Sequence, residues 1–290
     1  MKETNFNNKK VLIIGGAGFV GSHLIERLIQ DGADVTSLDN YSTGKVENEI
    51  QGAQYIKGEA KNIKKYFSKR VFEYIFHLGE FSRVELSFSF IDEVLKNNSS
   101  SFLEVISFAS DQNAKFIYSG SSTKFSVEES ENLQSPYSLT KAHNTYLLNN
   151  YAKWKGLSYC ITYYYNVYGG REISEGNFST VVAKFLQLKK NGKKKLPVTK
   201  PGTQIRNFTH IDDIVSGIIL IALRGEGDGY GIGAEKGYSI LDLVEMIGLE
   251  PEFLNESPGN RMNTKLAIDK TKALGWKAKH DLETYISKFS

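Results

Sequence analysis

The stretch Val11-Leu12-Ile13-Ile14-Gly15-Gly16-Ala17-Gly18-Phe19-Val20-Gly21 decides how the rest of this chain is read. Four consecutive apolar residues predict a strand buried on both faces, and the glycines at 15, 18 and 21 follow it as a turn. From Phe19 to Ile29 apolar residues return at helical spacing. Strand, glycine turn and helix in that order let a pyrophosphate approach backbone without Cβ atoms. The first N–H groups of the helix, at Phe19 and Val20, favour its negative charge.

The pattern continues outward. Asp34–Asp39 predicts a second strand, and Asp39 at its end can accept both ribose hydroxyls of an adenosine while repelling a 2′-phosphate. That selects NAD over NADP. Gln54–Lys57, Tyr74–Leu78, Lys115–Ser119 and Leu157–Tyr164 are further strands separated by helical stretches. The alternation predicts an α/β fold: a doubly wound parallel sheet of Rossmann type with right-handed crossovers. Beyond about Tyr165 the sequence loosens into loops such as Gly169-Gly170-Arg171 and Gly225-Glu226-Gly227-Asp228-Gly229. We expect an NAD-binding domain over 1–165 and, over 166–290, a smaller interleaved substrate lobe from which a segment near 207–224 returns to the first domain.

Composition narrows the classes. Of 290 residues, 40% are hydrophobic, enough for a sizeable core, and the charged residues leave only +3. No basic stripe interleaved with aromatics is present, so nucleic acid is not expected as a partner. The polar opening MKETNFNNKK and the lack of a long apolar run argue for a cytoplasmic protein and against a membrane one. A single cysteine, Cys160, fits a buried position in a strand. The five histidines lack paired ligand spacing, and no metal is expected.

Tyr137-Ser138-Leu139-Thr140-Lys141 sets a phenol and an ammonium at i and i+4, on one face of a helix that Pro136 helps to start. An ammonium beside a phenol favours the phenolate, a base for a hydroxyl proton, and the same lysine can hold the nicotinamide ribose. Upstream, the strand Lys115–Ser119 ends in the hydroxyl-rich turn Ser119-Gly120-Ser121-Ser122-Thr123, at the sheet end where ligands of such folds sit.

At these residues the sequence resembles the extended short-chain dehydrogenase/reductases, in particular NAD-dependent nucleotide-sugar epimerases and dehydratases related to UDP-glucose 4-epimerase. The matching segments run in order over nearly the whole chain: the glycine turn, Asp39-Asn40-Tyr41-Ser42-Thr43-Gly44, His77-Leu78-Gly79-Glu80 with Ser82-Arg83-Val84, Asn98, the Ser121 turn, Tyr137 with Lys141, Tyr165-Asn166-Val167-Tyr168-Gly169, Arg206 to Asp213, and Leu274-Gly275-Trp276. The resemblance implies that Ser121, Tyr137 and Lys141 are catalytic. It places Asp39, Asn40, Ser42, Thr43, Gly44, Glu59, Leu78, Gly79, Glu80 and Asn98 around the cofactor with Gly15, Gly18 and Gly21. It sets Ser82, Arg83, Ser121, Ser122, Thr123, Asn166 and Arg206 near the substrate, with Arg261 in place of an absent substrate arginine. It also implies a homodimer.

Departures choose among reactions. Ile14 stands where a threonine is usual, Tyr163 where an arginine is usual, Asn207 where an acidic residue is usual, and Glu80 in a loop that usually carries small residues. The 4,6-dehydratases carry an Asp-Glu pair immediately after the position of Ser121; here Ser122 and Thr123 offer no acid for the leaving hydroxyl. We therefore expect a nucleotide-sugar 4-epimerase working through a 4-keto intermediate. The alternatives are a 4-dehydrogenase or 4-ketoreductase on a hexose or heptose that releases its product, and an inactive NAD-binding regulatory protein.

Overall fold

The computed structural model describes residues 5–69, 71–125, 135–255 and 265–289. Its centre is a seven-stranded sheet of β1 (Lys10–Ile14), β2 (Asp34–Asp39), β3 (Gln54–Lys57), β4 (Tyr74–His77), β5 (Lys115–Ser119), β6 (Tyr159–Tyr164) and β7 (Gly227–Ile232). The order is β7-β6-β5-β4-β1-β2-β3 and every pairing is parallel. Parallel neighbours require crossovers, and helices α1 (Phe19–Gln30), α2 (Ser101–Asp111) and α3 (Pro136–Lys155) lie among them.

The continuous apolar run of β1 explains itself here. Val11 and Ile13 pack with Leu24, Ile25 and Leu28 of α1, whereas Leu12 and Ile14 pack on the opposite face with Phe102, Val105 and Ile106 of α2. Val11, Leu12 and Ile13 have no exposed surface, and each such burial contributes about 1.5–3 kcal/mol. Strand order reverses between β2-β1 and β1-β4, so the glycine turn after β1 opens into the crevice at that switch point.

One sequence expectation is corrected. The glycine-rich pattern of Gly225 to Gly229 predicts a loop, but Gly227-Asp228-Gly229 begins β7, which pairs with β6 through an irregular register between Gly227 and Tyr230. Its glycines erase the alternation that marks a strand, and at Gly231 a Cβ would lie 2.1 Å from the Ala267 carbonyl oxygen. Pairing with β6 supplies what the local pattern lacks.

The later part of the chain adds helices α4 (Val181–Lys190), α5 (Ile211–Arg224) and α6 (Ile240–Ile247). Ile214 and Ile218 of α5 join the core beneath α1. Separately, Val182 and Phe185 of α4 pack with Leu243 and Ile247 of α6 over Leu196 and Val198. The latter two lie on a strand, Lys195–Thr199, that pairs in parallel with Glu250–Leu254. No helix among the described residues is long and apolar enough to cross a membrane.

Candidate active site

A cleft of about 900 Å³ runs along the C-terminal ends of β1, β2, β4 and β5. Gly15, Gly18, Phe19, Val20, Gly21, Asp39, Asn40, Ser42, Thr43, Gly44, Glu59, Leu78, Gly79, Glu80, Ser82, Arg83, Ser121, Ser122, Thr123, Tyr137, Lys141, Asn166 and Arg206 all line it. Asn98 does not. It is fully buried behind the wall, accepting from the Phe81 N–H at 2.8 Å and donating to Thr140 Oγ1 at 3.1 Å, so it braces the loop after β4 against α3. Arg261 lies outside the described residues.

The glycine turn has the shape a dinucleotide needs. Gly15 sits at φ +89°, where a Cβ would come within 2.6 Å of Gly79 Cα, and a Cβ on Gly21 would lie 2.1 Å from the Gly15 carbonyl oxygen. Asp39 closes the turn from β2: Oδ2 accepts the Ala17 N–H and Oδ1 the Tyr41 N–H, both at 2.8 Å. Burial pushes this carboxyl above its ordinary range, against the two backbone donors. Asn40 donates to Glu59 at 3.3 Å and accepts from the Ser42 N–H at 3.0 Å, which arranges the adjoining rim.

Ser135 caps α3 by accepting the Ser138 N–H at 3.0 Å, and Pro136 occupies the first turn, so the helix starts immediately before Tyr137. Lys141, one turn on, donates to the Ser119 carbonyl at 2.6 Å and lies 2.6 Å from Glu80 Oε2. Its Nζ is 6.0 Å from the centre of the Tyr137 ring. Ser121 is buried and its Oγ accepts the Thr123 N–H at 3.3 Å.

The positions that departed from the family pattern have other partners. Tyr163 donates to Asp228 at 2.6 Å, in a cluster that Lys124 joins through a short contact with Asp228, and it does not line the cleft. Asn207 donates to the Ala234 carbonyl at 2.9 Å. Arg83 is held by the Phe178 carbonyl through Nε and Nη2, which ties the loop after β4 to the segment before α4.

Sequence reasoning missed part of the lining: Phe178, Ser179, Thr180, Thr199 and Gln204. Thr180 precedes the apolar run of α4, a cap signal that could have flagged it. Gln204 is almost fully buried, its Nε2 donates to the Thr199 carbonyl at 3.2 Å, and its Oε1 has no hydrogen-bond partner among the described residues. Nothing local in the sequence marks it.

The fold also gathers His210, Asp212 and His280, whose candidate ligand atoms lie within 4.8 Å of one another. The imidazoles stack at 4.4 Å, His210 Nδ1 accepts the Asp212 N–H at 3.2 Å, and His280 Nδ1 lies 3.1 Å from Asp213. These partners anchor the start of α5.

The family model described as the NAD dependent epimerase/dehydratase family matches residues 11–233. The chain is 28% identical over 300 residues to a putative UDP-glucose 4-epimerase of Methanocaldococcus jannaschii, covering 96% of each. It is 28% identical to a dTDP-D-glucose 4,6-dehydratase of Mus musculus, covering 97% of this chain and 87% of that one. Among solved structures, a UDP-glucose 4-epimerase from Thermotoga maritima with UDP-glucose superposes with a TM-score of 0.88 at 29% identity and 96% coverage of both chains. A UDP-N-acetylglucosamine 4-epimerase from Methanobrevibacter ruminantium, in complex with UDP-N-acetylmuramic acid, superposes at 0.86 with 26% identity, covering 98% of this chain and 96% of that one.

The chain belongs to the NAD-dependent epimerase/dehydratase family. It is an enzyme of the short-chain dehydrogenase/reductase kind, with NAD as its cofactor.

Proposed function

We propose that this protein is a nucleotide-sugar 4-epimerase. The observation that carries the reading is the meeting of Ser121, Tyr137 and Lys141 in the cleft that the glycine turn opens, with Ser122 and Thr123 where a dehydratase would need acids. Residues 1–165 and the returning segment near 207–224 would carry the cofactor, and 166–290 the sugar nucleotide. Bound NAD supplies an acceptor for, and a donor of, a hydride at the sugar carbon.

The chain's own groups do the rest. Tyr137, as phenolate, takes the proton of the sugar O4 while Ser121 Oγ hydrogen-bonds that oxygen, and Lys141 steadies the phenolate. Arg206 and Asn166 face the diphosphate. Turning the 4-keto sugar within the cleft and reducing its other face completes the epimerisation.

The second reading, a 4-dehydrogenase or 4-ketoreductase, is favoured by one observation: Tyr163 and Asn207 spend their polar atoms on the protein and offer the diphosphate nothing. Incubation with UDP-, GDP-, dTDP- and CDP-sugars without an external hydride acceptor, followed by NMR at C4, separates the two. Many turnovers to the C4 epimer support the epimerase. A stoichiometric burst of 4-keto product that continues only with an added acceptor replaces it with the second reading.

A homodimer fits the same picture. Ile91, Leu95 and Leu103 before and on α2, with Leu139 and Tyr146 on α3, leave large apolar side chains exposed on neighbouring helices. Sedimentation of the full chain should give twice the monomer mass.

A further inference from the structure

Glu80 is a charged residue built into the wall of the cleft. Only 2% of its side chain is exposed, although the residue as a whole is half-buried, so its backbone meets the cleft and its carboxylate points inward. Four groups surround that carboxylate. Oε2 lies 2.6 Å from Lys141 Nζ and accepts from Tyr118 Oη at 3.0 Å; Oε1 accepts from Asn144 Nδ2 at 3.0 Å and lies 3.3 Å from His77 Nε2. Burial alone would raise this carboxyl, but the Lys141 ammonium and His77 hold it below the ordinary carboxylate range.

Two consequences follow for Lys141. Of its three N–H groups, one faces Glu80 and one the Ser119 carbonyl, which leaves a single donor for a ribose hydroxyl and fixes where it points. Its charge is also offset. Beyond them lie Tyr137 on α3 and the half-buried Arg83, which interacts with Tyr137 and with Glu172. Without Glu80 the Lys141 ammonium would stand without its paired carboxylate, beside a nicotinamide ring that is itself positive in its oxidised form and neutral in its reduced form.

We propose that Glu80 is a positioning residue that fixes the Lys141 ammonium and, by offsetting its charge, biases the cleft toward the oxidised form of the cofactor. This rests on the NAD site and not on which sugar reaction follows. A site with this bias returns the hydride to the sugar and resists being stranded with reduced cofactor.

The test reads the ratio of the dissociation constants for NAD⁺ and NADH, measured by calorimetry on the full-length protein. Contacts shared by the two forms cancel in that ratio, so a purely structural role for Glu80 would not move it. Glu80→Gln keeps the shape and removes the charge; it should shift the ratio about tenfold toward NADH. Lys141→Ala leaves Glu80 with its other three partners and should shift the ratio toward NAD⁺. Opposite shifts support the proposal, and an unchanged ratio or shifts of the same sign overturn it. If Glu80→Gln fails to fold, Lys141→Ala decides alone: movement toward NAD⁺ supports the proposal and any other result overturns it. Failure of the unmodified protein to bind either form overturns both this proposal and the cofactor site beneath it, whereas loss of epimerase activity on every sugar would leave it standing.

Discussion

The carboxylate of Asp39 accepts the backbone N–H of Ala17 at 2.8 Å, so the end of β2 is tied to the glycine turn that follows β1. With Tyr41 N–H on the other oxygen, one side chain both shapes the turn and lines the cleft. These two duties separate experimentally.

Asp39→Ala should reduce the preference for NAD over NADP by removing the charge that repels a 2′-phosphate. It should also destabilise the fold by about 1–3 kcal/mol, because a buried Ala17 N–H loses its acceptor. Cofactor titration and thermal unfolding report the two effects. An unmodified protein that bound both cofactors equally would remove the selectivity argument.

Gly21→Ala should disrupt the cofactor site more than the fold. The new methyl would meet the Gly15 carbonyl at 2.1 Å, a backbone atom that can move only by opening the turn. NAD affinity should fall by at least tenfold, read by calorimetry, while far-ultraviolet circular dichroism still shows a folded chain.

Tyr137→Phe should lower turnover by a factor of about 10²–10⁴, the usual contribution of a positioned proton-transfer group, with cofactor affinity nearly unchanged. Lys141→Met should damage both, because it also removes the ribose donor and leaves Glu80 without its ammonium. Near-normal turnover in Tyr137→Phe would mean that the proton is taken elsewhere.

Glu172 makes stability depend on pH. Burial raises its carboxyl from 4.5 to about 7, although it accepts from the Gly169 N–H at 2.8 Å and from the Thr180 hydroxyl. The folded chain therefore keeps a proton that the unfolded chain has already lost. Stabilisation from this group is fully present below pH 4.5 and is lost as the pH rises through 7, up to about 3 kcal/mol in all. Urea unfolding at pH 5 to 8 should show that decline, and Glu172→Gln should flatten it. An identical slope in the variant would show that another group is responsible.

The parts of this protein legible in the sequence are those in which a short segment carries its own physical reason. Val11–Ile14 is apolar throughout because both faces of β1 are covered, Gly15 to Gly21 must lack Cβ atoms to fold the turn, and Ser135-Pro136 starts the helix that sets Tyr137 and Lys141 one turn apart. Local sequence therefore determined the parallel sheet, the dinucleotide turn and the phenol–ammonium pair. Tertiary structure decided the rest. β7 is a strand only because β6 pairs with it, and Gln204 and Thr180 reach the cleft only through the packing of α4 and α6. Glu80 looked like a cofactor contact in a loop of small residues; folding turned its carboxylate away from solvent and onto Lys141, sixty-one residues later in the chain. The reason is physical: capping, turns and periodicity act between neighbours in sequence, whereas the partner of a buried charge is chosen by which elements pack together.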